Sequence, residues 1–553
     1  QPVGNFGFGF EEAYAKAYDP FLRVLERHPQ VRLSLHYSGC LLDWLTEHQP
    51  AFIDRLCQLV SKQQVELLAS GYYEPILPLI PEADRQGQIA KMRQTLWKSF
   101  GEEGTGLWLT ERVWEPELPS TLARAGIRYT IVDTNQFATA KPWLPGAMQV
   151  HDDAFWDLLG SYATEYTGHS VVLFPASKRL RYWMPFQAVD RTIDFLRRLQ
   201  REEPVAITFA DDGEKFGLWP KTHHWVYEEG WLDQFFTSLE RERSWLKTST
   251  FRDYVKTTPP NGTVSLPCGS YEEMLEWSGG HFRNFFMKYP EANTMYQKML
   301  RISRQIEDGE RGTGNGQRST SAARNEGRKA SLWEQARQEL YTAQCNCAYW
   351  HGVFGGLYLT HLRRAVYSHL IAAEELARQA LCPTPRQPVD AGGCVLSVSD
   401  IDGDGQQEAH LTTAAMGLLV DPAEGGTITE WNVYQPRINL LDTLSRRHEP
   451  YHDKLRQVQA QPAASGGGSV VSIHDALGVK EQNLESYLVY DDHRRSAFVD
   501  YALQSLPSIE EVVRSTWGER RLWSLGPYLL ERTVSAKNGQ QAAGVTMTRE
   551  VSG

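Results

Sequence analysis

The sequence predicts an α/β barrel-like domain, followed by a helical region and a β-rich C-terminal part. Over about the first 270 residues, short apolar runs of strand type alternate with helical patterns. That order is typical of a parallel sheet, and a closed or nearly closed barrel suits the length. From about residue 290 to 380 the apolar spacing is helical. After Pro383 there are short β-type runs broken by Gly and Asp, which have the outline of a sandwich.

The length of 553 residues is too great for one domain. The changes of pattern predict a barrel domain at 1–290, a helical domain at 291–382 and a β-sandwich at 383–553. The chain begins without Met and ends within β-type sequence. We therefore expect that a first barrel strand is missing and that the sandwich is truncated.

Composition excludes several classes of partner. Lys and Arg total 57 against 68 Asp and Glu, and the net charge of −11 argues against nucleic acid or an anionic membrane surface. No apolar run reaches the roughly 20 residues that a membrane-spanning helix needs. The seven Cys are scattered and do not indicate a disulfide framework, so a cytoplasmic location is expected. A homodimer is compatible with the sequence, which does not determine the oligomeric state.

The first strand-type runs are spaced as in a barrel. Helical patterns such as 52–62 and 83–100 separate most of them. Because the carboxyl ends of parallel strands meet at one edge, polar residues that follow these runs are expected to form a site there. The predicted strands are 31–37, 64–69, 106–110, 127–133, 170–174, 204–210 and 263–267.

Glu111 is the first candidate catalytic residue. The stretch 106–117 begins as an apolar strand and then breaks into acidic, basic and aromatic side chains. An acid at a strand end is held by a rigid scaffold while it faces a cleft. The structural alternative is an ion pair between Glu111 and Arg112.

Asp212 is the second candidate, because another apolar run, 205–210, ends in Asp211, Asp212 and Gly213. Glycoside cleavage requires one ionised carboxylate and one protonated carboxylic acid, and aromatic faces stack on sugar rings. The two strand ends therefore predict a sugar site. An ordinary turn with solvated acids is the alternative. The tryptophans that flank the two stretches are Trp108, Trp114 and Trp219.

The helical region contains one unusual segment. Residues 309–328 lack apolar periodicity and predict a loop or linker, whereas 332–380 predicts a long helix. Three glycines within 352–356 cost about 1 kcal/mol each in a helix, so close approach of another element or a ligand is expected. Trp350 and His351 are then expected at the barrel mouth, or alternatively in the core of a helix pair.

A candidate calcium loop lies in the β-rich part. Residues 400–408 have alternating acids and turning glycines, although the Glu stands at the ninth place rather than the twelfth of an EF-hand. The alternative is a solvated acidic hairpin. The predicted ligands are Asp400, Asp402, Asp404 and Glu408.

Taken together, these motifs resemble glycoside hydrolase family 57, in its α-amylase/4-α-glucanotransferase branch. Residues 1–7 resemble the end of a fifth block that has lost its leading His, and stretches near 451, 472 and 487 resemble the C-terminal β-domain of the branch. Cys347 stands where the branch often has Asp. The four matching blocks are 64–66, 108–114, 211–217 and 343–352.

The resemblance implies a retaining enzyme of α-1,4-glucans on an incomplete (β/α)7 barrel, with Glu111 as nucleophile and Asp212 as general acid/base. No cofactor is required for that chemistry. Arg112 would help to keep Glu111 ionised, and the like charge of Asp211 would raise the pKa of Asp212. The residues that it places along the glucan are Glu66, Trp219, Trp350 and His351.

Three functions stay open at this point. The first is a 4-α-glucanotransferase, which the overall similarity favours, and the second is an α-amylase. They differ in whether a sugar hydroxyl or water attacks the covalent intermediate. The third is a non-catalytic glucan-binding protein, against which the intact Glu111 and Asp212 argue. A metal-dependent deacetylase would need a His/Asp ligand set, which is not found at the strand ends.

Overall fold

The computed structural model forms two compact units, which are described separately. The first contains the described residues up to Asn284 together with Gln344–Asn346. The second contains Phe285–Ala343 and the described residues from Cys347 onward. The described residues are 2–144, 149–151, 156–312, 320–352, 355–381, 394–453, 484–491, 493–499, 502–514, 516, 521–523, 529–537 and 540–548.

The first unit alternates helices with short strands, as the sequence predicts. Its helices are α1 Gly7–Ala13, α2 Asp19–Arg27, α3 Gly39–His48, α4 Pro50–Ser61, α5 Glu82–Phe100, α6 Leu118–Arg124, α7 Lys178–Trp183, α8 Val189–Arg198, α9 Trp231–Arg241, α10 Phe251–Thr257 and α11 Glu272–Ser278. Its strands are β1 Leu33–Leu35, β2 Val65–Leu67, β3 Gly106–Leu107, β4 Tyr129–Asp133, β5 Gln149–His151, β6 Trp156–Leu158, β7 Tyr162–Tyr166 and β8 His169–Ala176.

A succession of parallel pairings forms the centre of this unit. β1 pairs with β2, β3 pairs with β4, and β4 pairs with β8, all in parallel. A parallel bridge between Ala69 and Leu107 continues the array from the end of β2 to β3. β7 returns antiparallel beside β8. Residues at the carboxyl ends of these strands are thus brought toward one edge, where the candidate site lies.

Two predicted strands are reduced to single bridges. The apolar run 204–210 pairs only at Thr208, with Ala176, and the run 263–267 pairs only at Thr263, with Ala163. Both runs are extended and make individual backbone hydrogen bonds, for example from Gly160 N to Ala206 O at 2.8 Å. The apolar pattern therefore identifies extended segments correctly, but the pattern does not determine how many ladder bonds each one forms.

The second unit begins with helices. The segment 309–328, predicted as a linker, is helical at both ends, and only 313–319 lies outside the described residues. The predicted long helix 332–380 is interrupted, because Gly355 and Gly356 adopt φ of +89° and +42° in a turn between two helices. The glycines therefore carry no helix penalty. The helices are α12 Asn284–Lys288, α13 Pro290–Gly312, α14 Thr320–Ala343, α15 Thr360–Leu381 and α16 Ile509–Val513.

The rest of the second unit is antiparallel β structure. Five strands form one sheet in the order β13-β12-β11-β10-β9, and two further pairs are β14 with β15 and β16 with β17. A sandwich of facing sheets stays a prediction, and the predicted linker at 383–388 lies outside the described residues. The strands are β9 Val395–Ser399, β10 Glu408–Thr412, β11 Met416–Asp421, β12 Thr427–Val433, β13 Ile438–Asn439, β14 Ala502–Leu503, β15 Arg521–Trp523, β16 Leu529–Lys537 and β17 Gln540–Thr548.

Across the part of the chain that is described, no helix is both long enough and apolar enough to cross a membrane.

Candidate active site

Glu111 lies in a tight turn directly after β3. Its φ is +52°, and that of Arg112 is +49°, a region that non-glycine residues rarely adopt. Ser270 Oγ donates to the Glu111 carbonyl at 2.5 Å, and Gln136 Nε2 donates to the Arg112 carbonyl at 3.2 Å. Such strain persists only where the surroundings hold it, and it is concentrated at functional sites.

The Glu111 carboxyl has one polar partner that the sequence did not indicate. Tyr271 Oη donates to Glu111 Oε2 at 2.9 Å. Burial raises the pKa of Glu111, while the charge of Arg112 and the Tyr271 hydrogen bond oppose that rise. Tyr271 lies 160 residues away in sequence, just before α11, so local patterns could not identify it.

Asp212 follows the extended run that ends near Thr208, and its carboxyl interacts electrostatically with Glu111. Asp212 is exposed to solvent, although the protein atoms around its carboxyl still desolvate that group. Burial and then the charge of Asp211 raise the pKa of Asp212 to about 7, although Arg112 opposes this. The predicted influence of Asp211 is therefore present, but burial contributes more.

Arg112 is the cation shared by both carboxyl groups. It is 5% exposed, and its guanidinium lies 4.6 Å from the ring centroid of Tyr271 and 5.3 Å from that of Trp108. A buried guanidinium held against aromatic faces is a fixed positive charge. It lowers the proton affinity of both Glu111 and Asp212.

A second group of charged side chains lies near Asp211. The Lys215 ammonium, 2% exposed, donates to the Asp211 carboxylate and to the Arg181 carbonyl. Arg181 Nη2 lies 2.8 Å from Glu273 Oε2. Burial opposes ionisation of Glu273, yet Arg181 and the hydroxyl of Tyr182 lower its pKa to about 2. Sequence reasoning missed Arg181 and Glu273, because only the fold brings them beside Asp211.

Gly217 explains how the motif 211–217 is anchored. A Cβ at this position would lie 1.9 Å from the Lys16 carbonyl oxygen, so only glycine permits this approach. Phe216 is buried and meets Phe21 edge-on at 5.8 Å. The end of the motif is thus packed against the N-terminal helices, which positions Asp212 at its beginning.

The structure separates the three predicted tryptophans of the first unit. Trp108 is partly exposed, stacks with His36 at 6.4 Å between centroids, and can present its edge to a ligand. Trp114 is 1% exposed and Trp219 is 8% exposed, with its ring stacked on Phe186 at 5.8 Å. Both rings are buried in this structure, and the predicted contact of Trp114 and Trp219 with a glucan stays a prediction. Both side chains belong to the core.

Glu66 is buried within β2 at 2% exposure. Its Oε2 accepts from Ser34 Oγ at 2.7 Å and from the Arg252 backbone N at 3.2 Å, and Tyr129 Oη donates to Oε1. These contacts give Glu66 a place in the interior of the sheet. Its predicted contact with substrate stays a prediction.

Trp350 and His351 belong to the second unit. Trp350 is partly exposed and lies 6.3 Å from Phe285 between centroids. His351 is 3% exposed, and its Nε2 lies 2.5 Å from Tyr289 Oη and 3.5 Å from Glu449 Oε2. The same motif begins in the first unit, where Gln344 Nε2 donates to Asp84 at 2.7 Å.

The predicted calcium loop is the hairpin between β9 and β10. Side-chain oxygens of Asp400, Asp402 and Glu408 all lie within 4.8 Å of one another, whereas Asp404 is not part of this group. Burial, together with Asp402 and Asp421, raises the pKa of Glu408 to about 7. Oxygen ligands on an acidic turn suit Ca²⁺. The chemistry of these donors therefore fits the ion, and its binding stays a prediction.

The first unit thus presents two carboxyl groups in different environments. One is hydrogen-bonded by a tyrosine and lies beside an arginine, and the other has a pKa near neutrality because of burial and a like charge. Glycoside cleavage uses a pair of carboxyl groups whose surroundings differ.

Comparison with known families gives matches along most of the chain. Residues 8–267 match Glycosyl hydrolase family 57. Residues 280–377 match the middle domain, and 400–552 the C-terminal domain, of alpha-amylase/4-alpha-glucanotransferase.

Individual relatives are similar over nearly the whole chain. A 4-alpha-glucanotransferase of Thermococcus kodakarensis is 36% identical over 559 residues, which cover 96% of this chain and 77% of that protein. An alpha-amylase of Pyrococcus abyssi is 36% identical over 96% of this chain and 76% of its own length. The crystal structure of 4-alpha-glucanotransferase from Thermococcus litoralis superposes with a TM-score of 0.78 at 33% identity, covering 96% of this chain and 76% of that one.

Proposed function

The chain belongs to glycosyl hydrolase family 57, and from that premise we propose that it is a retaining enzyme of α-1,4-glucans, in the first place a 4-α-glucanotransferase. The resemblance seen in the sequence motifs is confirmed by the family matches and by relatives at 36% identity. The observation that carries the proposal is the carboxyl pair of Glu111 and Asp212, whose surroundings differ. An α-amylase is the second candidate, because relatives of equal similarity carry that name.

In the first step, the Glu111 carboxylate attacks the anomeric carbon while the Asp212 carboxylic acid protonates the departing glycosidic oxygen. Arg112 and the Tyr271 hydroxyl favour the ionised form of Glu111, which also makes it a better leaving group in the second step. There the Asp212 carboxylate accepts a proton from the attacking hydroxyl. A sugar hydroxyl gives transfer and a water molecule gives hydrolysis.

Several finer features belong to this proposal. The succession of parallel strands supports an incomplete (β/α)7 barrel, and the antiparallel strands of the second unit support a β-sandwich. Trp108, Trp350 and His351 would line the glucan, with Ca²⁺ as a structural ion only. A cytoplasmic homodimer stays a prediction from the sequence.

Incubation with maltopentaose, with the products resolved by size, tests the function. Oligosaccharides longer than the input would demonstrate transfer, and shorter products alone would demonstrate an α-amylase. Unchanged maltopentaose, together with measurable glucan binding, would overturn the enzymatic proposal and favour a binding protein.

E111Q and D212N test the roles of the two carboxyl groups. Loss of general acid catalysis should lower kcat/KM of D212N by about 10²–10⁴-fold. E111Q should not form the covalent intermediate and should lose turnover. The control is E272Q, an exposed carboxylate on α11 whose partner is Lys178. Full turnover by E111Q would exclude Glu111 as nucleophile.

A further inference from the structure

A buried cluster in the second unit surrounds Glu449, a residue that the sequence motifs did not single out. Glu449 and Tyr289 are 0% exposed. Glu449 Oε1 accepts from Tyr358 Oη at 2.6 Å and from Tyr289 Oη, and Oε2 accepts from Lys288 Nζ at 2.6 Å. His351 Nε2 lies 2.5 Å from Tyr289 Oη. Tyr289 therefore lies between the carboxylate and the imidazole.

The positions of the hydrogens between Glu449, Tyr289 and His351 follow from the number of donors and acceptors that each group offers. Burial opposes ionisation of Glu449, but its hydrogen bonds with His351, Lys288 and the tyrosines lower its pKa to about 2. An ionised carboxylate only accepts hydrogen bonds, so the one hydrogen of the Tyr289 hydroxyl points to Glu449. The Tyr289 oxygen then offers only lone pairs to His351. Two lone pairs at 2.5 Å would repel, so His351 Nε2 carries a hydrogen.

The opposite nitrogen of the ring is then defined as well. In a neutral imidazole with hydrogen on Nε2, Nδ1 is an acceptor. Both polar contacts of His351 with the described residues are made at Nε2. The rings of Phe285 at 5.7 Å, Tyr358 at 5.0 Å and Tyr451 at 6.2 Å pack edge-on against the imidazole and fix its orientation.

We propose that Glu449, acting through Tyr289, is a positioning residue that holds His351 in the Nε2–H tautomer, with Nδ1 as the acceptor for a glucan hydroxyl. This inference rests on the proposed function, in which His351 contacts the glucan. A hydrogen-bonded partner that sets the tautomer of a functional histidine is a known use of buried carboxylates.

E449Q and Y289F test the contacts that run from Glu449 through Tyr289 to His351. E449Q removes the charge and Y289F removes the hydroxyl, and each substitution nearly preserves the side-chain volume. In the full-length chain with ¹⁵N-labelled histidine, both variants should lose the ¹⁵N signature of the Nε2–H tautomer at His351. KM for maltopentaose should rise roughly three- to tenfold, as expected for one hydrogen bond, with a much smaller change in kcat.

Two controls separate positioning from general stability. E430Q alters another carboxylate of this unit, 2% exposed and bonded to Lys298 Nζ at 2.7 Å. It should lower the melting temperature while leaving the His351 tautomer and KM unchanged. Y358F removes a different donor to Glu449 but leaves the contacts of Tyr289 with Glu449 and His351. His351 should therefore keep the Nε2–H tautomer in this variant.

The outcomes are distinguishable. Wild-type tautomer and KM in folded Y289F would overturn the inference, and E449Q serves as the second variant if one of the two fails to fold. A wild-type chain that does not act on maltopentaose would refute the proposed function. The ¹⁵N measurement would still decide whether Glu449 sets the tautomer.

Discussion

Glu111 and Asp212 are both carboxyl groups, and their neighbours differ. Glu111 lies beside Arg112 and accepts from Tyr271, whereas Asp212 stands next to Asp211. A pKa of about 7 keeps Asp212 largely protonated in slightly acidic solution. Activity should therefore fall as the pH rises above about 7, because the general acid is then lost.

D211N tests the contribution of the like charge. Since Asp211 raises the pKa of Asp212, its removal should lower that pKa and shift the alkaline limb of kcat/KM to lower pH. The measurement is a pH profile of wild type, D211N and E272Q, accompanied by melting temperatures because Lys215 loses its carboxylate partner and keeps the Arg181 carbonyl. An alkaline limb that does not move in D211N would contradict the assignment of that limb to Asp212.

Among the elements of the second unit, the turn at 355–358 shows why a glycine pattern can mislead. In the sequence its glycines lie within a helical pattern, but α14 already ends at Ala343 and α15 begins at Thr360, so the glycines lie between the two helices. At Gly356 the backbone approaches the Trp350 carbonyl, and Leu357 N donates to that carbonyl at 2.7 Å. The turn thus fixes the segment that carries Trp350 and His351.

G356A and G327A should change stability in opposite directions. A Cβ at Gly356 would lie 2.2 Å from the Trp350 oxygen at a φ of +42°, so G356A should lower the free energy of unfolding by about 1–3 kcal/mol. Gly327 lies within α14 with open space around its Cα, so G327A should raise it by about 0.5–1 kcal/mol. Urea denaturation measures both. Equal changes in the free energy of unfolding for G356A and G327A would contradict the strained turn conformation of Gly356.

Another link between elements is the buried ion cluster of α13, α15 and β12. Lys298, 1% exposed, donates to Glu374 at 3.0 Å and to Glu430 at 2.7 Å. K298A would leave two carboxylates without this cation, so it should lower the free energy of unfolding by about 3–5 kcal/mol. R304A, an exposed change on the same helix, should stay within about 0.5 kcal/mol in the same urea titration. A small effect of K298A would show that Arg301 compensates.

On the scale of the whole molecule, the two units differ in chemistry. The described part of the first carries the carboxyl pair, whereas the second carries the His351 cluster and the acidic loop. The acids of that loop raise each other's proton affinity, and the pKa of Glu408 rises from 4.5 to about 7. Folding without a cation therefore takes up a proton, and the second unit should lose stability as the pH rises from about 4.5 to 7.

Calcium should reverse this loss. We predict that Ca²⁺ raises the melting temperature at pH 7 and that chelation lowers it, because an ion that binds only the folded state stabilises it by mass action. The effect should be smaller near pH 5, where Glu408 is protonated. Calorimetry with Ca²⁺ and with chelator measures this, and D400N should abolish the difference. If neither Ca²⁺ nor chelator changes the melting temperature, residues 400–408 form a solvated acidic hairpin and not a calcium site.

From the sequence alone, the order of elements, the family and the two candidate carboxyl groups could be predicted. Apolar periodicity and strand-end acids are local features, and the family motifs lie on them, so Glu111 and Asp212 could be predicted from neighbours in the chain. The fold, and not the sequence pattern, established that Trp114 and Trp219 are core residues, because burial depends on packing partners that are distant in sequence. It also decided that Tyr271, Arg181 and Glu449 surround the functional groups, since their contacts join residues far apart in sequence.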